Sequence, residues 1–186
     1  MKIRRNLSNI TRTVLAIAVI ALTVGAYSAK AAPSRDQAND QQLLSKQVRH
    51  SLVMLPWYGV FDNLEYTVNG SEVVLSGQVV QPILKHDAAK TVEHVEGVTR
   101  VVNNITVLPL SGFDDQIRRA EYRAIFSQSG LARYSRGAVP SVHIIVSNGH
   151  VTLTGMVSTP MDYNIARIRA LSVPGVFSVT NNLQIG

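Results

Sequence analysis

Residues 73–79, VVLSGQV, decide the fold of this chain, because the pattern recurs as VTLTGMV at residues 151–157. Around it, residues 64–108 align without a gap on residues 142–186, at an offset of 78 residues. Of the 45 aligned positions, 13 are identical, and most of these are glycine, proline, asparagine or alternating valine. No shared residue is a nucleophile, a carboxylate or a histidine. A repeat that keeps its fold-determining residues and shares no reactive ones indicates a binding or scaffold module.

The repeated stretch is the second strand of a strand–strand–helix–strand pattern. Alternating apolar residues predict two strands that meet at Asn-Gly turns, since both residue types tolerate positive φ. Helices are predicted over 82–95 and 160–173, with a proline in the first turn and a glycine after the end. A last strand is predicted through 98–107 and through 176–185.

One more helix precedes each pattern, predicted over 41–53 and 114–128, with Asp114 as a candidate cap. Gly77 and Gly155 interrupt the apolar side of the central strand, and we expect each to let a packed helix approach closely. Each unit is therefore predicted to be an αββαβ domain of the α+β class. It has a three-stranded sheet, two helices packed on one face, and a polar opposite face.

Both copies carry V-x-L-x-G-x-V, then a helix, then V-x-G-V-x-x-V-x-N-x-[IL]. This double motif resembles the BON domain family (bacterial OsmY and nodulation), and the two copies cover nearly all of the chain after its N-terminal segment. The resemblance implies an αββαβ fold, a place in the bacterial envelope and association with phospholipid membranes. A signal peptide followed by two such domains is similar to the periplasmic, osmotically induced proteins of this family.

The N-terminus has the features of a secretory signal, with basic residues followed by an apolar run over 14–27. A bilayer span needs roughly 20 apolar residues, so cleavage is expected rather than retention as an anchor, which is the alternative. Cleavage sites of the small-x-small type end at Ala29 and at Ala31, and the second is preferred. The predicted organisation is a signal peptide over 1–31, a linker over 32–40, and domains over 41–110 and 112–186. The expected location is the periplasm, peripheral to the membrane.

Charge and cysteine content exclude several classes of protein. The whole chain has a net charge of +6, but residues 1–31 hold five basic and no acidic residues, which leaves 13 basic and 12 acidic residues beyond them. A nucleic-acid partner is therefore not expected. The chain has no cysteine, which excludes disulfides, thiolate metal sites and a lipid anchor on an N-terminal cysteine. Residues 40–111 carry a net −2 and residues 112–186 a net +3, with arginine as their only basic residue.

Two segments that follow the first helix of each unit depart from the structural pattern. In the first unit, LPWYGVF at 55–61 holds Trp57 and Tyr58, which favour the boundary between water and lipid. This loop either dips into a membrane or folds its aromatic rings over the end of the core.

The equivalent segment of the second unit, LARYSRG at 131–137, carries two arginines around a tyrosine, and the preceding helix adds three more arginines. The candidate lipid-binding residues here are Arg118, Arg119, Arg123, Arg133, Tyr134 and Arg136. As one cluster they could bind anionic head groups, at about 1 kcal/mol for each basic group. The alternative is that these arginines are dispersed in solvent and paired with Asp115 or Glu121.

No catalytic motif is present, and the five histidines share no metal-ligand spacing, so neither a catalytic residue nor a cofactor is predicted. The leading hypothesis is a non-enzymatic periplasmic protein that supports the envelope under osmotic stress by binding anionic phospholipid surfaces. The alternative is a periplasmic protein-interaction or chaperone-like module, whose partners are other proteins. An enzyme ranks behind both hypotheses.

Overall fold

The computed structural model of the protein describes residues 35–137 and 139–186. The first domain consists of α1 (Arg35–Val53), β1 (Asn63–Asn69), β2 (Glu72–Val79), α2 (Pro82–Glu93), β3 (Arg100–Asn103) and β4 (Thr106–Val107). The second consists of α3 (Gly112–Phe126), a short 3-10 helix (Ala132–Ser135), β5 (Val142–Ser147), β6 (His150–Val157), α4 (Pro160–Leu171) and β7 (Ser178–Ile185). The predicted signal peptide lies outside the described residues. Pro33–Gly186 form one compact unit.

The central strand of each sheet is the one that carries the repeated motif. In the first domain β1 pairs with β2 antiparallel, and β3 and β4, two pieces of one edge strand, pair with β2 in parallel. In the second domain β6 pairs antiparallel with β5 and in parallel with β7. A parallel neighbour requires a crossover, which α2 and α4 provide. This architecture confirms the predicted class, two α+β domains of αββαβ type.

Each domain has its own core, formed by the alternating residues of its central strand and the inner sides of its helices. In the first, Val73, Leu75 and Val79 are fully buried, and Val48 of α1 and Leu84 of α2 lie in the same cluster. In the second the equivalent strand buries Val151, Leu153 and Val157 against α3 and α4. The repeat thus retains the residues that hold the helices on the sheet.

The shared asparagines at the end of the motif link helix to strand. Asn103 donates from Nδ2 to the Lys85 carbonyl at 2.8 Å, and its Oδ1 accepts from the Ile105 N–H at 3.1 Å. Asn181 makes the same pair of bonds in the second domain, to the Tyr163 carbonyl and from the Leu183 N–H. Identity at these positions therefore has a structural cause, because each asparagine satisfies a backbone carbonyl of the helix and a backbone N–H of the edge strand.

Two helix starts differ from the predictions. Helix α1 begins at Arg35, six residues before the predicted start, so most of the segment predicted as a linker is helical. Residues 38–43 are exposed, and the buried positions begin only at Leu44, which is why apolar spacing did not reveal the first turns. Helix α3 is capped by Ser111 rather than by Asp114, since the Ser111 hydroxyl accepts from the Asp114 N–H at 3.1 Å. The Asp114 carboxylate is instead buried and accepts from the N–H groups of the Asn148-Gly149 turn.

The reason for Gly77 and Gly155 is also different from the one predicted. Both have positive φ, 111° and 112°, and a Cβ on either would lie 2.1 Å from a backbone carbonyl oxygen of the neighbouring strand. Those oxygens belong to Asn63, the first residue of β1, and to Ser141, the residue before β5. The close approach is therefore between two strands and not between a helix and the sheet.

We expect Gly155→Ala to lower the free energy of unfolding by roughly 3 kcal/mol, because both the φ value and the Ser141 carbonyl oppose a Cβ there. Urea denaturation followed by circular dichroism measures the change. Gly112→Ala is the control, since a Cβ at Gly112 meets nothing within 4 Å and its φ is not in the positive range. Equal midpoints for the two variants would contradict this explanation.

Candidate functional site

The segment that joins α1 to β1, residues 55–62, lies against the second domain; we call it the connecting segment. Its Val60 carbonyl accepts from the Ile144 N–H on β5 at 2.7 Å, and Gly59 O lies 3.2 Å from His143 Nδ1. Tyr58 stacks on His143, with ring centroids 5.5 Å apart and planes 11° from parallel. The connecting segment thus occupies the outer edge of β5, and the two domains meet there.

Asp62 holds the connecting segment in this shape. Its side chain is buried, and its two oxygens accept from the Gly59 N–H at 3.1 Å and from the Val80 N–H at 2.8 Å. Burial raises the pKa of Asp62, and the two N–H donors together with the charge of Arg118 oppose that rise. Phe61, the residue before it, meets Tyr122 of α3 edge to face, with ring centroids 6.4 Å apart.

These contacts separate the two aromatic candidates of the first domain. Tyr58 is half-buried between the domains, where its ring stacks on His143, and its contact with lipid stays a prediction. Trp57 is 73% exposed and has a positive φ of 70°. Of the two alternatives for this loop, folding over the core applies to Tyr58, and only Trp57 is free to meet a partner.

Arg118 is not a surface residue either. It is 3% exposed, donates from one terminal nitrogen to the Val146 carbonyl at 2.7 Å, and forms an ion pair with Asp115 through the other. A buried guanidinium needs such partners, because an unpaired charge in the interior is strongly unfavourable. The prediction that Arg118 contacts head groups is therefore wrong, and its pairing with Asp115 matches the alternative.

Tyr134 and Arg133 belong to a structural network around Asp162. The Tyr134 hydroxyl is buried, donates to Asp162 at 2.8 Å and accepts from the Ser158 N–H at 2.8 Å. Arg133 pairs with the same carboxylate at 2.7 Å. Burial acts to raise the pKa of Asp162, but bonds from Thr159 and Tyr134 and the Arg133 charge outweigh it and lower the pKa. Tyr134 is thus excluded from a lipid site, and the charge of Arg133 is paired with Asp162.

The remaining candidates are exposed, and the structure adds others near them. Arg119 and Arg123 lie on the outer side of α3, where they line a shallow groove of about 340 Å³ together with Phe113 and Pro174. Phe113 is 48% exposed and lies 6.3 Å, centroid to centroid, from Phe177, which is 71% exposed. Sequence patterns missed these two aromatics, although Phe177 replaces Thr99 at the aligned position of the first unit.

In the second domain most arginines are exposed, whereas most acidic residues are buried. Its exposed arginines that take part in no ion pair of the described chain are Arg119, Arg123, Arg136, Arg167 and Arg169. Its acidic residues are Asp114, Asp115, Glu121 and Asp162. Three of these four are buried, and the fourth, Asp115, is paired with Arg118. The solvent-facing part of this domain is therefore cationic well beyond the net +3 of its composition.

Glu121 is the least expected of the buried acids. It lies on the inner side of α3, fully buried, and neither carboxyl oxygen has a hydrogen-bond partner. Burial raises the pKa of Glu121 to about 8, so at neutral pH the side chain is mostly uncharged. The predicted pairing of Glu121 with an arginine does not occur; no arginine of the described residues forms an ion pair with it.

A groove of about 490 Å³ lies between the domains, next to the connecting segment. Its walls include Arg49 and Tyr66 of the first domain and His143, Met156 and Gln184 of the second. The outer face of the second sheet, expected to be polar, is thus partly covered by the first domain, and His143 on that face is buried.

Within 35–137 and 139–186, no three histidine or acidic side chains come together in a way that could hold a metal ion. None of the helices described is long and apolar enough to cross a bilayer.

Comparison with known families agrees with the geometry. The BON domain model matches the chain twice, over residues 40–109 and 114–186. The chain belongs to the BON domain family. These two matches confirm the resemblance deduced from the repeated motif, and each of them spans one of the two αββαβ units.

Solved structures give a more distant likeness. Two matches are to CdsD of Chlamydia trachomatis, which their titles describe as a structural protein of the type III secretion system. One, its C-terminal domain, is 14% identical over 77% of this chain and 97% of the other, with a TM-score of 0.31. The second is 15% identical over 77% of this chain and 93% of the other, with a TM-score of 0.30. No protein of curated function matches this BON protein.

The stability of the second domain should fall as the pH rises, because the Glu121 pKa is about 8 in the folded protein and 4.5 in its unperturbed state. Between these values the folded state binds more protons than the unfolded state, so stability present at low pH is lost as pH rises through 8. We expect a decrease of about 1 kcal/mol per pH unit at most over this range.

Glu121→Gln should remove this dependence and make the protein more stable than the wild type at pH values near 8. Urea midpoints measured across that interval test the expectation. Parallel stability curves for the wild type and E121Q would show that Glu121 does not titrate in this range. Glu93→Gln is a suitable control, since Glu93 is an exposed acid of the first domain that takes part in no ion pair of the described residues.

Proposed function

We propose that this BON protein is a non-enzymatic periplasmic protein that binds anionic phospholipid at a membrane surface through the outer side of its second domain. Membership of the BON family supports phospholipid and the periplasm as the class of partner and the place. The observation that supports this site is the separation of charges between the surface and the interior of the second domain. Five exposed arginines face solvent, while the carboxyl groups of the same domain are buried or paired.

Arginine suits this role because its planar guanidinium can bond two phosphate oxygens at once, which the ammonium of lysine cannot do. Each basic group near an anionic membrane contributes about 1 kcal/mol. Two to four arginines that touch the surface together would hold the protein weakly and reversibly. Such binding falls with salt, since the screening length shortens from about 10 Å at 0.1 M to about 3 Å at 1 M.

Within this proposal the arginines on α3 take the leading part. Arg119 and Arg123 lie one helical turn apart and share a groove with the exposed ring of Phe113, which can rest among head groups. Arg136 is exposed at the end of the 3-10 helix and completes the set. Support of the envelope under osmotic stress is the physiological role we attach to this binding, from the family resemblance.

Arg119→Ala/Arg123→Ala should weaken binding to anionic vesicles by about tenfold to a hundredfold at low salt, from the loss of two surface contacts. Co-sedimentation of Pro33–Gly186 with vesicles of phosphatidylglycerol, against vesicles of phosphatidylcholine alone, measures the effect. Lys46→Ala/Lys90→Ala is the matched control, because it removes the same charge from exposed positions of the first domain. If both double variants lose the same affinity for vesicles, binding depends on the net charge of the protein and not on this site.

The same preparation tests the alternative partner class. If the wild-type protein pellets with no vesicle at any salt but suppresses aggregation of an unfolded protein, a chaperone-like role replaces phospholipid binding. Pelleting with anionic vesicles alone, lost with salt, supports the proposal. Trp57 is the single tryptophan of the chain and is exposed, so its fluorescence reports whether the connecting segment also meets the membrane.

A further inference from the structure

Helix α4 carries an apolar stripe on the side that faces away from its own domain. Met161, Ile168 and Leu171 are 71%, 62% and 51% exposed. At about 100° per residue they fall on one side of the helix, which they share with the exposed Asn164, opposite Ala166 and Ala170, which are buried against the sheet. Ala166 and Ala170, together with the partly buried Tyr163 and Ile165, contact the core, and these three large apolar side chains remain in solvent.

The first domain shows that the fold does not require this stripe. Helix α2 has the same length and position in its domain, and the aligned residues are Ile83, Lys90 and Glu93. Lys90 and Glu93 are exposed, as expected for the outer side of a solvated helix. The first of the three positions is thus apolar and exposed in both copies, whereas the other two are charged in α2 and apolar in α4. The difference points to a partner that only the second domain meets.

The charges around the stripe indicate what that partner is. Arg167 and Arg169 flank it on opposite sides, where α2 has Ala89 and Thr91. The single carboxylate of α4, Asp162, is buried in its network with Arg133 and Tyr134. An apolar stripe with cationic borders and no accessible carboxylate is the pattern of a helix that lies in the interface of an anionic bilayer.

A second copy of this chain fits the stripe less well. Two α4 helices face to face would bring four arginines together, and no exposed carboxylate on either helix would offset them. A bilayer instead offers acyl chains to the stripe and phosphates to its borders at the same time.

We propose that α4 inserts the side chains of Met161, Ile168 and Leu171 among the upper acyl chains of an anionic membrane, with Arg167 and Arg169 at the phosphate level. This inference rests on the proposed function and adds a second element to it. The arginines of α3 provide attraction that salt screens, and the α4 stripe provides a contact that salt does not screen.

The decisive variant is Ile168→Lys/Leu171→Glu, which places the residues of α2 at the aligned positions of α4. It leaves the net charge unchanged, and the duplicated fold already accepts these residues at these sites. We expect it to weaken binding of Pro33–Gly186 to phosphatidylglycerol vesicles about tenfold, and to abolish the fraction that stays bound in high salt. Lys90→Ala/Glu93→Ala, equally neutral in charge, is the control in the first domain and should bind as the wild type does.

Insertion depth is measured separately, in a chain with Trp57→Phe and one new tryptophan. Ile168→Trp should shift its emission to the blue with vesicles and be quenched by lipids brominated on the acyl chain. Lys90→Trp, at the aligned position of α2, should show neither effect. Circular dichroism and urea midpoints verify that each variant is folded.

The outcomes distinguish this inference from the function on which it rests. If the wild type binds but I168W is not quenched and I168K/L171E binds unchanged, the inference fails and the proposed function stands. If the wild type binds no vesicle at all, the proposed function fails, and the inference with it. If I168K/L171E instead converts a dimer into a monomer in sedimentation equilibrium, the stripe is an interface between copies and the inference is overturned.

Discussion

The buried carboxylate of Asp62 is the constraint on which the arrangement of the two domains depends. By accepting from Gly59 and Val80 it bends the connecting segment so that the Val60 carbonyl reaches the Ile144 N–H. An edge strand with unpaired N–H groups is otherwise a template for unwanted pairing. Here the first domain covers that edge, and the two sheets are parts of one compact unit.

The second domain solves the same local problem with a different side chain. The N–H at the end of its central strand, Ser158, is aligned with Val80 and donates to the Tyr134 hydroxyl rather than to a carboxylate. Tyr134 comes from within the 3-10 helix and binds Asp162, so the network closes inside the domain. In both copies the N–H that follows the central strand therefore has a side-chain acceptor. In the first copy that acceptor is Asp62, which also shapes the connecting segment for its contact with the second domain.

The fold could be predicted from the sequence because the identical residues of the repeat act locally. Proline at a helix start, glycine after a helix end and alternating valines have the same meaning in any context. The close approach at Gly77 could not be read in this way, since the oxygen that forbids a Cβ belongs to another strand. The candidate site was less predictable for a similar reason. The inner stripe of α3 includes Arg118 and Glu121, which a search for apolar spacing assigns to solvent, and Arg118 is buried beside the connecting segment and Val146.

A surface that exposes guanidinium groups and buries its carboxyl groups stays positively charged when the pH of the medium changes. Arginine keeps its proton at every pH that proteins encounter, so the exposed guanidinium groups keep their charge when the pH changes. We expect the folding stability of the protein to respond to alkalinity through Glu121, whereas the attraction proposed between the exposed arginines and an anionic surface responds to salt. In the proposed binding, ionic strength is therefore the external variable that most directly changes the strength of the contact.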